Sequence, residues 1–272
     1  MNDADRTKFG PPDDTPMLPW FGGAFSHGFV ALHPFVAIEG LHPGVCEYGT
    51  LILPRSSAPP DVDLLEWVDG EAEERRDGKE VTASSVDEIA VRFGNQVSWR
   101  EICHLAGLSD HCALDQALRT IILGLRKDLE DQTSAERLKK FCDQNALFRP
   151  TEGRFQPIMQ ANLIDLFERV GVSEVFVGDE FGDDERLVTL ATLGGELAWD
   201  RRTDLSSWGI RRIYAPDQSI LVWVHWDSFY TAVFATAERL DGSRLDELFE
   251  GFWCSNETST YWLTQPAIPL TQ

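Results

Sequence analysis

Ile210-Arg-Arg-Ile-Tyr214, Ser219-Ile-Leu-Val-Trp-Val-His-Trp226 and Phe229-Tyr-Thr-Ala-Val-Phe-Ala-Thr236 follow one another with only short turns between them, and their reading decides the fold. In a strand, side chains alternate between the two faces. In the middle run Leu221, Trp223 and His225 therefore share one face, while Val222, Val224 and Trp226 share the other. Both faces are largely apolar, so this strand is expected to be covered on both sides. Ala215-Pro-Asp-Gln218 and Asp227-Ser228 supply turn chemistry between the runs. The three runs read as an antiparallel meander. Upstream, Glu174-Val-Phe-Val177 reads as a short strand, residues 186–193 as another, and residues 244–252 as a last helix.

Toward the N-terminus the period changes from two to 3.6. Ser85-Val-Asp-Glu88 and Ser98-Trp-Arg-Glu101 match a capping box, in which a hydroxyl and a carboxylate satisfy orphan amides at a helix start. The second helix is expected to stop at Gly107. Leu114, Leu118, Ile121, Ile122, Leu125 and Leu129 fall on one face of a long helix. Further helices are expected over 134–145 and 162–170. The first sixty residues hold nine of the fourteen prolines, which excludes long helices there. Phe21, Phe25, Phe29, Val30, Leu32, Phe35, Val36 and Ile38 still need burial. The segment reads as extended arms and loops packed over a core formed elsewhere, with a short strand at Thr50-Leu-Ile-Leu53. Together these signals predict an α+β fold with a Pro-rich N-terminal arm, a helical middle and a C-terminal antiparallel sheet with flanking helices. The expected organisation is a tail over 1–24 and a single α+β unit over 25–272. Its helical half lies at 81–171, its sheet half at 172–265 and a mobile acidic loop at 69–84.

Forty-five Asp and Glu stand against 24 Lys and Arg, a formal charge of −21. That balance opposes a non-specific grip on nucleic acid or an anionic membrane, because phosphates require cations. The excess is uneven. Between 61 and 88 there are eleven acidic residues against Arg75, Arg76 and Lys79, and Asp179-Glu-Phe-Gly-Asp-Asp-Glu185 packs five carboxylates into seven positions. No apolar run approaches the roughly 20 residues of a spanning helix. Met1-Asn-Asp-Ala-Asp-Arg lacks the basic start and apolar core of a secretory signal. Five cysteines without a Cys-x-x-Cys pair fit a reducing compartment, so a cytoplasmic location is expected.

Each candidate for chemistry has a plainer alternative. Ser98-Trp-Arg-Glu-Ile-Cys-His-Leu-Ala-Gly-Leu-Ser109 and the helix after it resemble a helix-turn-helix. The exposed start of that second helix offers Asp110, His111, Asp115 and Gln116, with only Arg119 basic, so an ordinary helical hairpin is the stronger reading. His27, His33, His42 and Cys46 lie within twenty residues, and Cys103-His104 and His111-Cys112 bracket the turn. Zinc needs three or four such ligands converging. His33 and His42 each precede proline, and buried, hydrogen-bonded histidines are the commoner outcome. His225 followed by Asp227 offers a base and its orienter on one strand face. The acidic knot after a strand suits Mg²⁺ or, more simply, a solvated loop. Trp199 and Trp208 flank the polar loop 200–207 in the manner of a pocket rim or partner surface.

Leu32-His-Pro-Phe-Val36, Ser98-Trp-Arg-Glu-Ile102, Ala117-Leu-Arg-Thr120, Glu174-Val-Phe-Val177 with Asp179-Glu-Phe181, Trp226-Asp-Ser-Phe229 and Glu250-Gly-Phe-Trp-Cys254 together resemble the uncharacterised bacterial YwbB-like family. The likeness spans roughly residues 25 to 262. It implies that these blocks fold as one unit and that the protein is soluble and bacterial. It transfers no activity and no functional residue, and the acidic 61–88 segment departs from it. The first expectation is therefore a non-catalytic acidic binding or interaction protein that meets a basic protein partner through Asp179, Glu180, Asp183, Asp184, Trp199 and Trp208. The second is a hydrolase-type enzyme, in one version metal-dependent, sited at His225 and Asp227 or at His27, His33 and His42. The third is a helix-turn-helix nucleic-acid binder. No cofactor and no membrane partner are expected.

Overall fold

The structure is a computed structural model that describes residues 10–12, 15–48, 59–60, 62–179, 181–195, 197–207 and 209–261. The expected strand at 50–53 lies outside the described residues. In chain order the helices are α1 Met17–Trp20, α2 Leu64–Arg76, α3 Ala83–Phe93, α4 Trp99–Ala106, α5 His111–Ile121, α6 Gln132–Gln144, α7 Gln160–Arg169, α8 Leu190–Leu193, α9 Ala237–Leu240 and α10 Leu245–Leu248. The strands are β1 His27–Leu32, β2 Phe35–Ile38, β3 Gly94–Val97, β4 Leu147–Phe148, β5 Glu174–Gly178, β6 Glu185–Thr189, β7 Arg212–Tyr214, β8 Ile220–Trp223, β9 Tyr230–Ala235 and β10 Gly251–Trp253.

The fold is α+β, built on an antiparallel seven-stranded sheet ordered β10-β1-β9-β8-β7-β5-β6, with a small sheet ordered β3-β2-β4. The meander forms as read: Ile213 registers with Val222, and Val222 with Val233. Both faces of β8 are covered, because alternate apolar side chains feed two cores. Leu221 and Trp223 pack with Trp99, Ile102, Leu114, Leu118 and Leu138 of α4–α6. Val222 and Val224 pack with Leu163, Leu166 and Phe167 of α7 and with Leu190 and Leu193 of α8. Two helical layers thus enclose one sheet. Caps fix where the first layer begins and turns. Ser98 Oγ accepts the Glu101 amide at 3.1 Å, Gly107 takes the left-handed conformation (φ 66°) and Asp110 Oδ1 accepts the Ala113 amide at 2.9 Å.

Several expectations are corrected. The arm over 25–38 is sheet: β1 pairs with β9 on one side and β10 on the other. Its proline-free run alternates Phe29 and Ala31 into one core with Val30 and Leu32 into the other, so the sheet half does not begin at 172. The tail over 1–24 is too long, since Met17, Leu18 and Phe21 are buried and the Met17 amide donates to the Thr258 carbonyl at 2.8 Å. The first half of the acidic loop 69–84 is helix α2. Asp63 caps its start, and its last turn carries Arg75, bonded to the Tyr48 carbonyl, and Arg76, paired with Glu47. The long helix over 114–129 ends at Ile121, because Leu123 turns left-handed (φ 57°) and the Gly124 amide donates back to the Arg119 carbonyl. Residues 186–193 divide into β6 and α8, with Thr189 Oγ1 accepting the Thr192 amide to start the helix. The last helix stops at Leu248 and the chain re-enters the sheet as β10. There a side chain on Gly251 would run into the Val30 carbonyl and the Phe29 ring.

Candidate functional site

The β5–β6 hairpin carries the acidic knot, and most of that knot is structural. Asp179 is buried, and its Oδ1 accepts the amides of Gly182 and Asp183 at 2.6 and 3.1 Å, closing the loop as an Asx turn. Asp184 Oδ2 accepts the Ser207 amide at 2.6 Å, and Arg186 Nε donates to its Oδ1 at 3.2 Å. The amide bond first, and the arginine with it, holds the Asp184 carboxyl below its ordinary range. Arg186 also donates to the carbonyls of Thr203 and Asp204. Glu185 accepts from the buried Arg212 at 3.0 Å. The loop 200–207 is thereby fastened to the hairpin. Asp183 and Glu174 remain exposed. Glu180 and Trp208 lie outside the described residues. Trp199 is no pocket rim. It is 1% exposed, donates Nε1–H to the Leu193 carbonyl at 2.9 Å and packs edge-on against Phe155.

His225 and Asp227 do come together at the β8–β9 turn. The Asp227 backbone amide donates to His225 Nδ1 at 3.3 Å. An Nδ1 that accepts places the proton of the neutral ring on Nε2. The Asp227 carboxylate accepts the Tyr261 hydroxyl at 3.2 Å. Beneath them Arg119, with no exposed surface, donates Nε–H to Asp115 at 2.7 Å, Nη1–H to the Asp227 carbonyl at 2.9 Å and Nη2–H to the Thr260 carbonyl at 3.3 Å. Its guanidinium lies 4.6 Å from the centre of the Tyr261 ring. This is a brace joining α5, the β8–β9 turn and the C-terminal strap. It also removes from the helix-turn-helix look-alike the one basic side chain its second helix had to offer. A guanidinium buried in an ion pair cannot reach a groove. A second brace, absent from the sequence reading, joins the helical half to the sheet half. Arg154 bonds Asp87 of α3 at 3.0 Å and Asp200 at 3.1 Å, and Arg201 bonds Asp87 at 3.3 Å.

The three N-terminal histidines do not converge. His27 sits exposed at the start of β1 beside Ser26 Oγ, and His42 caps a turn by accepting the Gly44 amide while donating to the Asp143 carbonyl. His33 is fully buried, with Nε2 2.9 Å from Thr231 Oγ1. His111 is buried against Phe252, His104 is exposed and Cys103 is buried. Among the described residues no three His, Cys, Asp or Glu side chains are placed to hold a metal ion. Burial first, and the Arg154 charge second, lower the His33 pKa to about 3. The unfolded chain therefore binds a proton below pH 6.5 that the folded chain refuses, so stability is full above pH 6.5 and falls as pH drops toward 3. Between pH 7 and pH 5 this costs about 2 kcal/mol. Urea unfolding of wild type and His33→Gln at both pH values checks it: the variant should lose that part of the slope, and parallel behaviour would refute the assignment.

What the sequence reading missed is the open end of the sheet. Leu221, Tyr214, Phe176 and Leu187 register in line across β8, β7, β5 and β6, with the Phe176 and Tyr214 rings stacked at 5.2 Å. Leu221 is buried under the α4–α6 layer, Tyr214 and Phe176 are half-buried, and Leu187 is 51% exposed. Phe181 at the hairpin tip is 62% exposed. The exposed Glu174, Asp183 and Glu185 surround this stripe. Glu185-Arg-Leu-Val-Thr189 sets Leu187 beside Val188 with no apolar/polar alternation, so periodicity could not assign Leu187 to the open face.

Among the described residues no helix is long and apolar enough to cross a membrane. Residues 13–264 match the model of a family described as a protein of unknown function, DUF2711. No curated protein and no solved structure matches the chain.

Proposed function

The chain belongs to the DUF2711 family, and from that premise we propose that it is a non-catalytic binding protein whose acidic sheet end engages a basic protein partner. The observation that carries this reading is the coincidence of charge and exposure at the β5–β6 hairpin. Residues 174–190 hold six carboxylates against the single cation Arg186, and the exposed apolar side chains Phe181 and Leu187 lie among them. Apolar anchors ringed by one sign of charge suit a partner surface of the opposite sign, with the charge raising the rate of encounter and the anchors slowing release. Five cysteines, none of them in a disulfide, support placing this activity in a reducing cytoplasm. The finer likeness to the YwbB-like proteins, and with it a bacterial source, belongs to the same proposal.

The structure changes which substitutions test it. Neutralising Asp179 or Asp184 would open the loop, and neutralising Glu185 would leave Arg212 buried without its carboxylate. Glu174 and Asp183 are the exposed acids free of those duties. Affinity capture with wild type and with Glu174→Gln/Asp183→Asn as paired baits is expected to recover a basic protein. The double variant should hold it about five- to tenfold less tightly at low salt, with melting unchanged. Equal capture by both baits would remove this surface from consideration.

A further inference from the structure

We propose that β6 is a docking edge: a basic, extended segment of the partner protein pairs with it as an additional strand of the sheet. This rests on the binding reading above and names its geometry. In an antiparallel pair, alternate residues bond to the neighbouring strand and the residues between them aim N–H and C=O away from it. The Asp179 amide donates to the Asp184 carbonyl, and the Leu190 amide donates to the Ser173 carbonyl, which brackets the β5–β6 ladder. Residues 184, 186, 188 and 190 therefore face β5, and Glu185, Leu187 and Thr189 turn their backbone groups outward. Those three are also the exposed residues of the strand. Thr189 also starts α8, and among the described residues no backbone bond beyond the β5 ladder reaches the amides or carbonyls of Glu185 and Leu187.

Sheet edges are ordinarily protected by lysine, proline, bulges or a covering element, because outward amides and carbonyls template another strand. β6 carries neither lysine nor proline, and its five residues pair with β5 in unbroken register from Glu174↔Thr189 to Gly178↔Glu185. A strand added beside β6 would continue the line Leu221, Tyr214, Phe176, Leu187, so an apolar side chain of the incoming segment would rest against Leu187. Glu185 on the edge, Asp183 just before it and Glu174 opposite Thr189 on β5 call for Lys or Arg on the partner. A second copy of this chain is the poorer occupant, since two molecules of charge −21 would bring like-charged edges together.

The test uses a labelled synthetic peptide in which one valine has a lysine two residues to either side and threonines in between, read by fluorescence anisotropy at low and at physiological salt. Two further peptides carry the same side chains, one N-methylated at the valine and lysines and the other at the threonines. With valine held on the Leu187 face, the lysines share the face of Glu174 and Glu185 and one set of amides points at β6, so one methylated peptide should bind at least about tenfold more weakly while the other keeps its affinity. Leu187→Pro removes an outward amide without touching the β5 ladder, and should weaken the parent peptide similarly with melting preserved. If the variant fails to fold, the methylated pair still decides. Equal binding by all three peptides that Glu174→Gln/Asp183→Asn abolishes would overturn edge pairing while leaving the acidic binding reading intact. Absence of binding by any of them, even at low salt, would overturn both. Sedimentation showing a dimer of the free protein that Leu187→Pro dissociates would assign the edge to a second copy and overturn the proposal.

Discussion

Arg119→Met lowers the unfolding free energy by about 3–5 kcal/mol, the loss expected when one partner of a buried ion pair is removed. Arg119 and Asp115 have no exposed side-chain surface. Methionine fills much of the arginine stem's volume, so the loss reports charge and hydrogen bonding rather than a cavity. It leaves the Asp115 carboxylate in the interior without its cation. It also removes the guanidinium's bonds to the carbonyls of Asp227 and Thr260. Urea denaturation gives the magnitude. Amide exchange gives the place, since protection should fall in the strap around Thr258 and Thr260, which otherwise holds Met17 of α1 and Tyr230 of β9. The double variant Asp115→Leu/Arg119→Met should recover much of the loss, because no charge is then left buried. A single variant within 1 kcal/mol of wild type would show that the pair is hydrated and that the brace is not what holds the strap.

Trp199→Ala lowers stability by about 3–5 kcal/mol, the usual range for removing a buried large aromatic. Trp199 is 1% exposed, lies 5.6 Å from the Phe155 ring and gives its indole proton to the Leu193 carbonyl. Truncation leaves both a cavity and an orphaned carbonyl. Trp199→Phe restores most of the apolar area but not the donor, so it should retain about half of the loss. For a chain of this size the alanine variant corresponds to a fall in Tm of roughly 10 °C. A tryptophan serving a partner surface would behave oppositely, with wild-type melting and lost capture. That outcome would return Trp199 to the interface and displace the hairpin as its centre.

The meander was legible because alternation in Leu221, Val222, Trp223 and Val224 is a local property of a strand with two covered faces. The α4–α5 hairpin was legible for the same kind of reason, since Ser98, Gly107 and Asp110 act within four residues of the groups they cap. The end of α5 was not. Leu125 and Leu129 keep the helical spacing, and the turn at Leu123 is sealed by contacts to the next helix, Thr120 Oγ1 accepting the Asp131 amide and Gln116 Nε2 donating to the Leu129 carbonyl. β1 was hidden by the prolines around it, because they exclude a helix but say nothing of which distant strands complete a sheet.

The same division runs through the candidate site. By itself the sequence determined an α+β chain with a helical middle and a two-faced antiparallel meander, an acid excess concentrated in the 61–88 and 179–185 segments, and no recurrent catalytic motif. Only the tertiary structure decided which charges are scaffolding and which face solvent. Arg119 reads as a recognition-helix cation and Asp179 as a surface carboxylate. The carbonyls that take up Arg119 lie 108 and 141 residues away, and the fold of the hairpin turns Asp179 inward onto its own loop amides. Periodicity and capping act over a few residues and are written in order along the chain. Burial and edge exposure depend on which remote segments arrive to cover a side chain or a strand, and that is decided when the sheet closes.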